Sequence, residues 1–187
     1  MTHELANKRV AFLTANEGVE QIELTEPWEA VEHAGAVPTL VAPQDGDVQA
    51  FNQLEKANVF TARTTAKDAD AGNYDALVLP GGVANPDQLR LDPDADAVAF
   101  AQSFFEAGKP VAVICHGPWT LVEAGVLQGR NLTSWPSLRT DIENAGGTWS
   151  DEEVVVCTDG PNTLISSRKP DDLPAFNKKR VEVVSGG

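Results

Sequence analysis

Two cysteines in 187 residues, Cys115 and Cys157, cannot make a disulfide framework. With no Cys-x-x-Cys pair there is also no zinc ribbon and no dithiol motif. Three histidines, His3, His33 and His116, are too few and too scattered for a structural metal site, so neither a metal nor another cofactor is expected. Basic side chains are scarce, with 14 Lys and Arg against 28 Asp and Glu and a net charge of -14. A field of that sign repels phosphate backbones and anionic bilayers, so nucleic-acid and membrane partners are not expected. Apolar runs stay at strand length, and the polar opening MTHELANKR has no signal-peptide pattern. The expectation is a cytoplasmic protein whose residues 1–7 form a flexible tail. Hydrophobic residues make up 42% and charged residues 22%, a globular balance that suits one domain over 1–187.

What the chain does contain is short apolar runs alternating with amphipathic stretches. Strands are expected at Arg9–Ala15, Val37–Val41, Ala76–Leu79, Val111–Ile114 and Asn131–Ser134, with an edge strand at Val59–Ala62. Helices are expected at Ile22–Ala34, Pro118–Ala124, Leu138–Ala145 and Asp171–Val183. A further helix should be capped by Asp92 and started by Pro93, bury Ala97, Phe100, Ala101, Phe104 and Phe105 on one stripe, and stop at Gly108. Gln44 to Asp47 reads as a turn, and Val154–Cys157 with Thr163–Ser166 as a hairpin. Strands buried on both sides and alternating with helices imply a parallel sheet covered on both faces. Function in such sheets gathers at the carboxyl ends of the strands.

One strand end carries chemistry. Ala112-Val113-Ile114-Cys115-His116-Gly117-Pro118 runs from a buried strand directly into a helix, which forces the junction residue into a sharp turn and lifts its side chain above the sheet. A cysteine there sits at a helix N-terminus, where the dipole favours thiolate, and the His116 amide faces a developing oxyanion. A plain buried cysteine is the alternative, and the strand–Cys–His–Gly–Pro–helix context argues against it. Leu79-Pro80-Gly81-Gly82 breaks a second strand into a glycine pair; if the two strands are neighbours, Gly82 adds a second oxyanion donor. Glu23 stands four residues before Pro27, where its carbonyl loses a helical partner; an acid there can reach across the sheet mouth to the thiol, with a dipole-complementing acid on a solvated face as the alternative. Glutamine-hydrolysing amidotransferases place a His-x-Glu pair downstream of such a cysteine. No histidine follows His116, so that triad cannot form and His116 is the base in range.

These residues also carry a resemblance. Leu13-Thr14-Ala15-Asn16-Glu17, Glu20-x-x-Glu23-Leu24-x-x-Pro27, Leu79-Pro80-Gly81-Gly82, Cys115-His116-Gly117-Pro118 and Ser167-Arg168-x-Pro170-Asp171-Asp172-Leu173-Pro174 resemble the PfpI family of the ThiJ/PfpI superfamily. That superfamily includes general stress proteins and the parkinsonism-associated deglycase. The resemblance spans about Arg9 to Val184. It implies a flavodoxin-like three-layer α/β/α sandwich with a mostly parallel central sheet and a nucleophile elbow at Cys115. It further implies Glu23 hydrogen-bonded to that cysteine, and an oxyanion hole from the amides of Gly82 and His116. In the peptidase-like members an acid from a neighbouring subunit orients the histidine. Asp87 matches that acid, on a loop one residue longer and with a shorter side chain than the expected Glu, and a homodimer or higher homo-oligomer follows from the family. Trp135 stands where the deglycase branch carries a histidine.

Trp119 and Trp135 are expected to wall a pocket for small substrates. Arg168 reads as an anion-binding residue of the pocket or interface, with a surface ion pair as the alternative. Cys157 reads as structural, His33 as solvated or a dipole partner, and His3 as part of the tail. The leading functional expectation is a stress-response, cofactor-independent glyoxalase or deglycase acting on a small carbonyl compound. The alternatives are a peptidase or hydrolase active as an oligomer, and a redox sensor oxidised at Cys115.

Overall fold

Successive side chains of a strand face opposite ways, and both sides of the central strands here are apolar. The computed structural model describes residues 4–91 and 95–186. Its strands are β1 (Arg9–Leu13), β2 (Glu17–Glu20), β3 (Val37–Ala42), β4 (Gly46–Asn52), β5 (Glu55–Ala62), β6 (Thr64–Thr65), β7 (Ala76–Leu79), β8 (Val111–Ile114), β9 (Asn131–Leu132), β10 (Thr148–Trp149), β11 (Val154–Cys157) and β12 (Leu164–Ser167). The α-helices are α1 (Gln21–His33), α2 (Asn85–Arg90), α3 (Asp96–Glu106), α4 (Pro118–Glu123), α5 (Arg139–Asn144) and α6 (Leu173–Ser185).

Seven strands form the main sheet in the order β11-β12-β8-β7-β1-β3-β6, parallel except for the β11–β12 pair. Ala11, Leu13, Val111 and Val113 face a core shared with Phe100, Phe104 and Phe105 of α3, Leu121 of α4 and Ile142 of α5. Val10, Phe12, Ala112 and Ile114 face the opposite core, with Leu24 and Val31 of α1 and Phe176 of α6. The result is the three-layer sandwich expected of a parallel sheet. Because β7 and β8 are adjacent, with Leu79 opposite Val113, the Gly-Gly pair and the cysteine elbow emerge side by side.

Several local expectations change. Residues 4–7 are no free tail, since they form a turn in which Leu5 is buried and its N–H bonds the Ala34 carbonyl at 2.9 Å. Val59–Ala62 is part of β5, in a separate three-stranded sheet with β2 and β4. Gly46 and Asp47, expected in a turn, open β4. The expected cap at Asp92 and Pro93, like His3, lies outside the described residues. α3 starts after Ala95, which takes a left-handed φ of 55°. Its stripe is buried as expected, with Phe104 edge-on to Phe100 at 5.2 Å.

Phe104 is fully buried, so Phe104→Ala should leave a cavity and cost about 3–5 kcal/mol of unfolding free energy. Denaturant titration checks this, with a lower midpoint at an unchanged slope.

Candidate active site

Cys115 follows β8 and adopts φ 60°, a left-handed conformation that costs a non-glycine residue energy. Its surroundings hold it there: its N–H bonds the Ser167 carbonyl at 3.1 Å, and its carbonyl accepts from the Trp135 N–H at 2.9 Å. The thiol therefore sits at the carboxyl edge of the sheet, and its Sγ lies 3.0 Å from His116 Nδ1. The amides of Gly82 and His116 also donate toward the Cys115 sulfur.

Glu23 arrives from the first turn of α1 and is fully buried. Its Oε2 accepts from the Gly81 N–H at 2.8 Å, and the carboxyl meets the Cys115 thiol. Oε1 is buried and has no further hydrogen-bond partner among the described residues. Gly81 makes this approach possible: a Cβ there would stand 2.6 Å from Glu23 Oε2 and 2.7 Å from Cys115 Cβ. Gly82, at φ 106°, likewise packs its bare backbone on the Gly18 carbonyl and the Glu20 amide.

Burial dominates the electrostatics. Desolvation raises the Glu23 pKa to about 8, against the opposing Gly81 hydrogen bond, so the acid keeps its proton at neutral pH. Burial also pushes the Cys115 thiol up, and the Glu23 charge adds to this once that group ionises. This overturns the expectation of a dipole-stabilised thiolate. The hydration lost on burial outweighs the hydrogen bonds that the Gly82 and His116 amides offer the sulfur. Desolvation lowers the His116 pKa, so its imidazole is neutral and able to take the thiol proton.

A cavity of about 430 Å³ opens over these groups, lined by Glu20, Glu23, Gly82, Cys115, His116 and Trp135. Gln53, Leu54, Val83 and Pro170 complete its wall. Trp135 stacks on His116 with ring centroids 5.6 Å apart. Trp119 also neighbours His116, at 5.5 Å, but it lines a different hollow and donates its Nε1–H to Asp141 at 2.8 Å. It is therefore not a wall of the thiol cavity. Arg168 is not a pocket residue either. Its Nε bonds Asp172 at 2.9 Å and its Nη1 bonds Asp151 at 2.8 Å, so the ion-pair alternative holds. Asp87 lies on α2, exposed, with Arg90 at 3.8 Å; in its own chain it is paired there and does not line the cavity. Cys157 is buried, and its Sγ accepts from the Asn131 N–H at 3.3 Å.

Glu20 was visible in the sequence as the first acid of Glu20-x-x-Glu23. Gln53 and Leu54, at the tip between β4 and β5, left no signal because only the second sheet brings them to the cavity. Asn85 was also missed. It is buried, accepts from the Ala15 N–H at 2.7 Å and donates to the Pro80 carbonyl at 3.0 Å, tying two strand ends together. Among the described residues, no group of three or more His, Cys, Asp or Glu side chains gathers to hold a metal ion.

The family model described as DJ-1/PfpI matches residues 8–183. The chain belongs to the DJ-1/PfpI family. General stress protein 18 of Bacillus subtilis is 41% identical over 165 residues, covering 88% of this chain and 91% of that protein. A deglycase of Pyrococcus horikoshii is 40% identical over 176 residues, 94% of this chain and 99% of its own. A Bacillus subtilis protein provisionally named a cysteine protease is 37% identical over 178 residues, 95% of this chain and 99% of its own. Among solved structures, a two-domain Anabaena variabilis protein with DJ-1/ThiJ/PfpI-like and ferritin-like domains superposes with a TM-score of 0.86 at 32% identity. That match takes in 95% of this chain and 48% of the other. Oxidised Toxoplasma gondii DJ-1 shares the DJ-1/PfpI fold, with a TM-score of 0.80 at 22% identity over 95% of this chain and 90% of its own.

The buried acid makes a signed prediction. Between about 4.5 and 8, the folded chain holds a Glu23 proton that the unfolded chain has released. Glu23's contribution to stability therefore falls as pH rises through this window, by at most ~1.4 kcal/mol per pH unit. The stability of the natural chain relative to Glu23→Gln should decline from pH 5 to pH 8, read from paired melting curves.

Proposed function

We propose that this protein is a cysteine-dependent enzyme of carbonyl defence that converts small 2-oxoaldehydes to hydroxy acids. The observation that carries the reading is a buried thiol held between a neutral imidazole at 3.0 Å and a carboxyl of pKa about 8. A deglycase and a general stress protein among the 40%-level relatives support it.

The geometry suits the following sequence with methylglyoxal. His116 Nδ1 takes the thiol proton as Sγ adds to the aldehyde carbon, and the amides of Gly82 and His116 receive the developing oxyanion. Return of the proton from His116 to that oxygen gives a hemithioacetal. Glu23 first sheds its proton, at a pKa of about 8. Its carboxylate then takes the proton of the former aldehyde carbon and delivers it to the adjacent carbonyl carbon, while the hemithioacetal hydroxyl proton passes through neutral His116 to the second oxygen. The first carbon is oxidised and the second reduced, which leaves a thioester of lactic acid. Water cleaves the thioester to lactate and frees the thiol. The sum is methylglyoxal plus water to lactate, balanced with no external oxidant.

Natural chain given methylglyoxal should form lactate over many turnovers. Cys115→Ser should abolish this, and His116→Ala should lower it by about 10²–10⁴-fold. Aldehyde loss capped at one equivalent, with no lactate, would overturn the reading.

The Cys115–His116 contact also favours a second reading, a hydrolase acting by acyl transfer to Cys115, in line with the relative provisionally named a protease. That activity needs an acid to orient His116, and Asp87 would have to come from a second copy. Peptide hydrolysis should then fall more steeply than protein concentration on dilution, and Asp87→Asn should remove it while leaving lactate formation intact.

A further inference from the structure

Around the thiol, every charged group that faces the cavity is acidic or held neutral. Glu20 and Glu23 line it, His116 is kept neutral by burial, and among the described residues no lysine or arginine contributes to its wall. The rest is Leu54, Val83, Pro170 and the Trp135 ring, with Gln53 and Gly82. Arg168, two residues before Pro170, is the cation that chain position would offer. Its three guanidinium nitrogens are engaged by Asp172 at 2.9 and 3.0 Å and by Asp151 at 2.8 Å. The amides of Gly82 and His116 point at the sulfur, where they serve the reacting oxygen rather than a distal anion.

Glu20 immediately precedes α1 at the cavity mouth. Its Oε2 accepts from the Gln53 N–H at 2.9 Å, fixing the β4–β5 tip and its Leu54 beside the opening. Its charge is felt inside the cavity, where it adds to the forces that keep Glu23 protonated.

We infer that this cavity selects its electrophile by charge: it admits neutral and cationic carbonyl compounds, rejects those carrying a carboxylate, sulfonate or phosphate, and owes that selection to Glu20. The inference rests on Cys115 being the nucleophile, and it extends the proposed activity to the class of compound accepted. An anionic substrate meets a like-charged wall with no cation among the described residues to pair it, an arrangement that works against the wrong partner.

The test does not require turnover. Three methanethiosulfonates deliver a neutral methyl, a cationic trimethylammonioethyl or an anionic sulfonatoethyl group to a thiolate. In each case the thiolate sulfur bonds the sulfenyl sulfur and methanesulfinate leaves. Rates at Cys115, read from the mass of its peptide, are divided by the rate of each reagent with free cysteine in the same buffer. The cation-to-anion ratio should exceed about 10 in the natural chain, on the scale of a close charge pair in a partly desolvated site. Glu20→Gln keeps an oxygen for the Gln53 N–H and removes the charge, so it should cut the ratio several-fold at an unchanged melting temperature.

Glu17→Gln changes the net charge equally, at an exposed residue that lines a neighbouring hollow and pairs with Lys56 at 3.6 Å. It should leave the ratio intact. A ratio near one in the natural chain, or equal losses in Glu17→Gln and Glu20→Gln, would overturn the inference. If the Glu20→Gln chain melts lower, the natural chain at 0.5 M salt decides instead. Local selection survives such screening, whereas a field from the whole surface collapses. Charge selection without lactate formation would sink the proposed activity alone; lactate formation without charge selection would sink this inference alone.

Discussion

A carboxyl group buried at the mouth of a parallel sheet, with one amide hydrogen bond and no cation beside it among the described residues, is the constraint around which this site is built. Glu23 is fully buried, and Gly81 donates to its Oε2. Leaving such a group ionised is costly, so burial raises its proton affinity. The close approach needs a residue without a side chain at 81, a left-handed backbone at Gly82, and the strained φ of 60° at Cys115. Strain of that kind persists only where the surroundings over-determine it. Here the bonds from Cys115 to Ser167 and Trp135, and the Asn85 clasp between Ala15 and Pro80, supply that restraint.

The same constraint governs the chemistry. Low polarity raises the thiol and the acid and lowers the imidazole, so the three groups meet in their neutral forms. Reactivity then comes from transfer of one proton over a 3.0 Å contact rather than from a standing thiolate. The amides of Gly82 and His116 do not reverse this in the resting site, but they stabilise negative charge as it forms.

Packing away from the cavity holds the acid in place. Pro27 breaks the hydrogen-bond ladder of α1 one turn beyond Glu23, and Arg180 of α6 donates to the Pro27 carbonyl at 2.9 Å. Arg180 is buried with no carboxylate partner among the described residues, and desolvation lowers its pKa to about 9. α1 and α6 are thereby joined behind the site. The Arg168–Asp172 pair pins the turn leading into α6, and that turn places Pro170 at the cavity wall.

The central strands, the α3 stripe and the elbow were legible because local patterns encode them. Doubly apolar runs demand a covered parallel sheet, Gly108 offers the left-handed backbone that closes α3, and a strand running straight into a helix through Cys-His-Gly-Pro permits few backbone geometries. The DJ-1/PfpI motifs are compact for the same reason. The second sheet, the Gln53–Leu54 tip, the direction faced by Trp119 and the partners of Arg168 depend on segments 30 or more residues apart or on the three-dimensional course of loops, and no periodicity reports them. The direction of the Cys115 pKa belongs with these. A helix N-terminus can be read from the chain, but the desolvation that outweighs it exists only once two layers of helices and the β4–β5 tip have closed around the thiol. The sequence by itself determined which groups could react; tertiary burial decided which of them hold protons and what charge may approach, because hydration is lost only on folding.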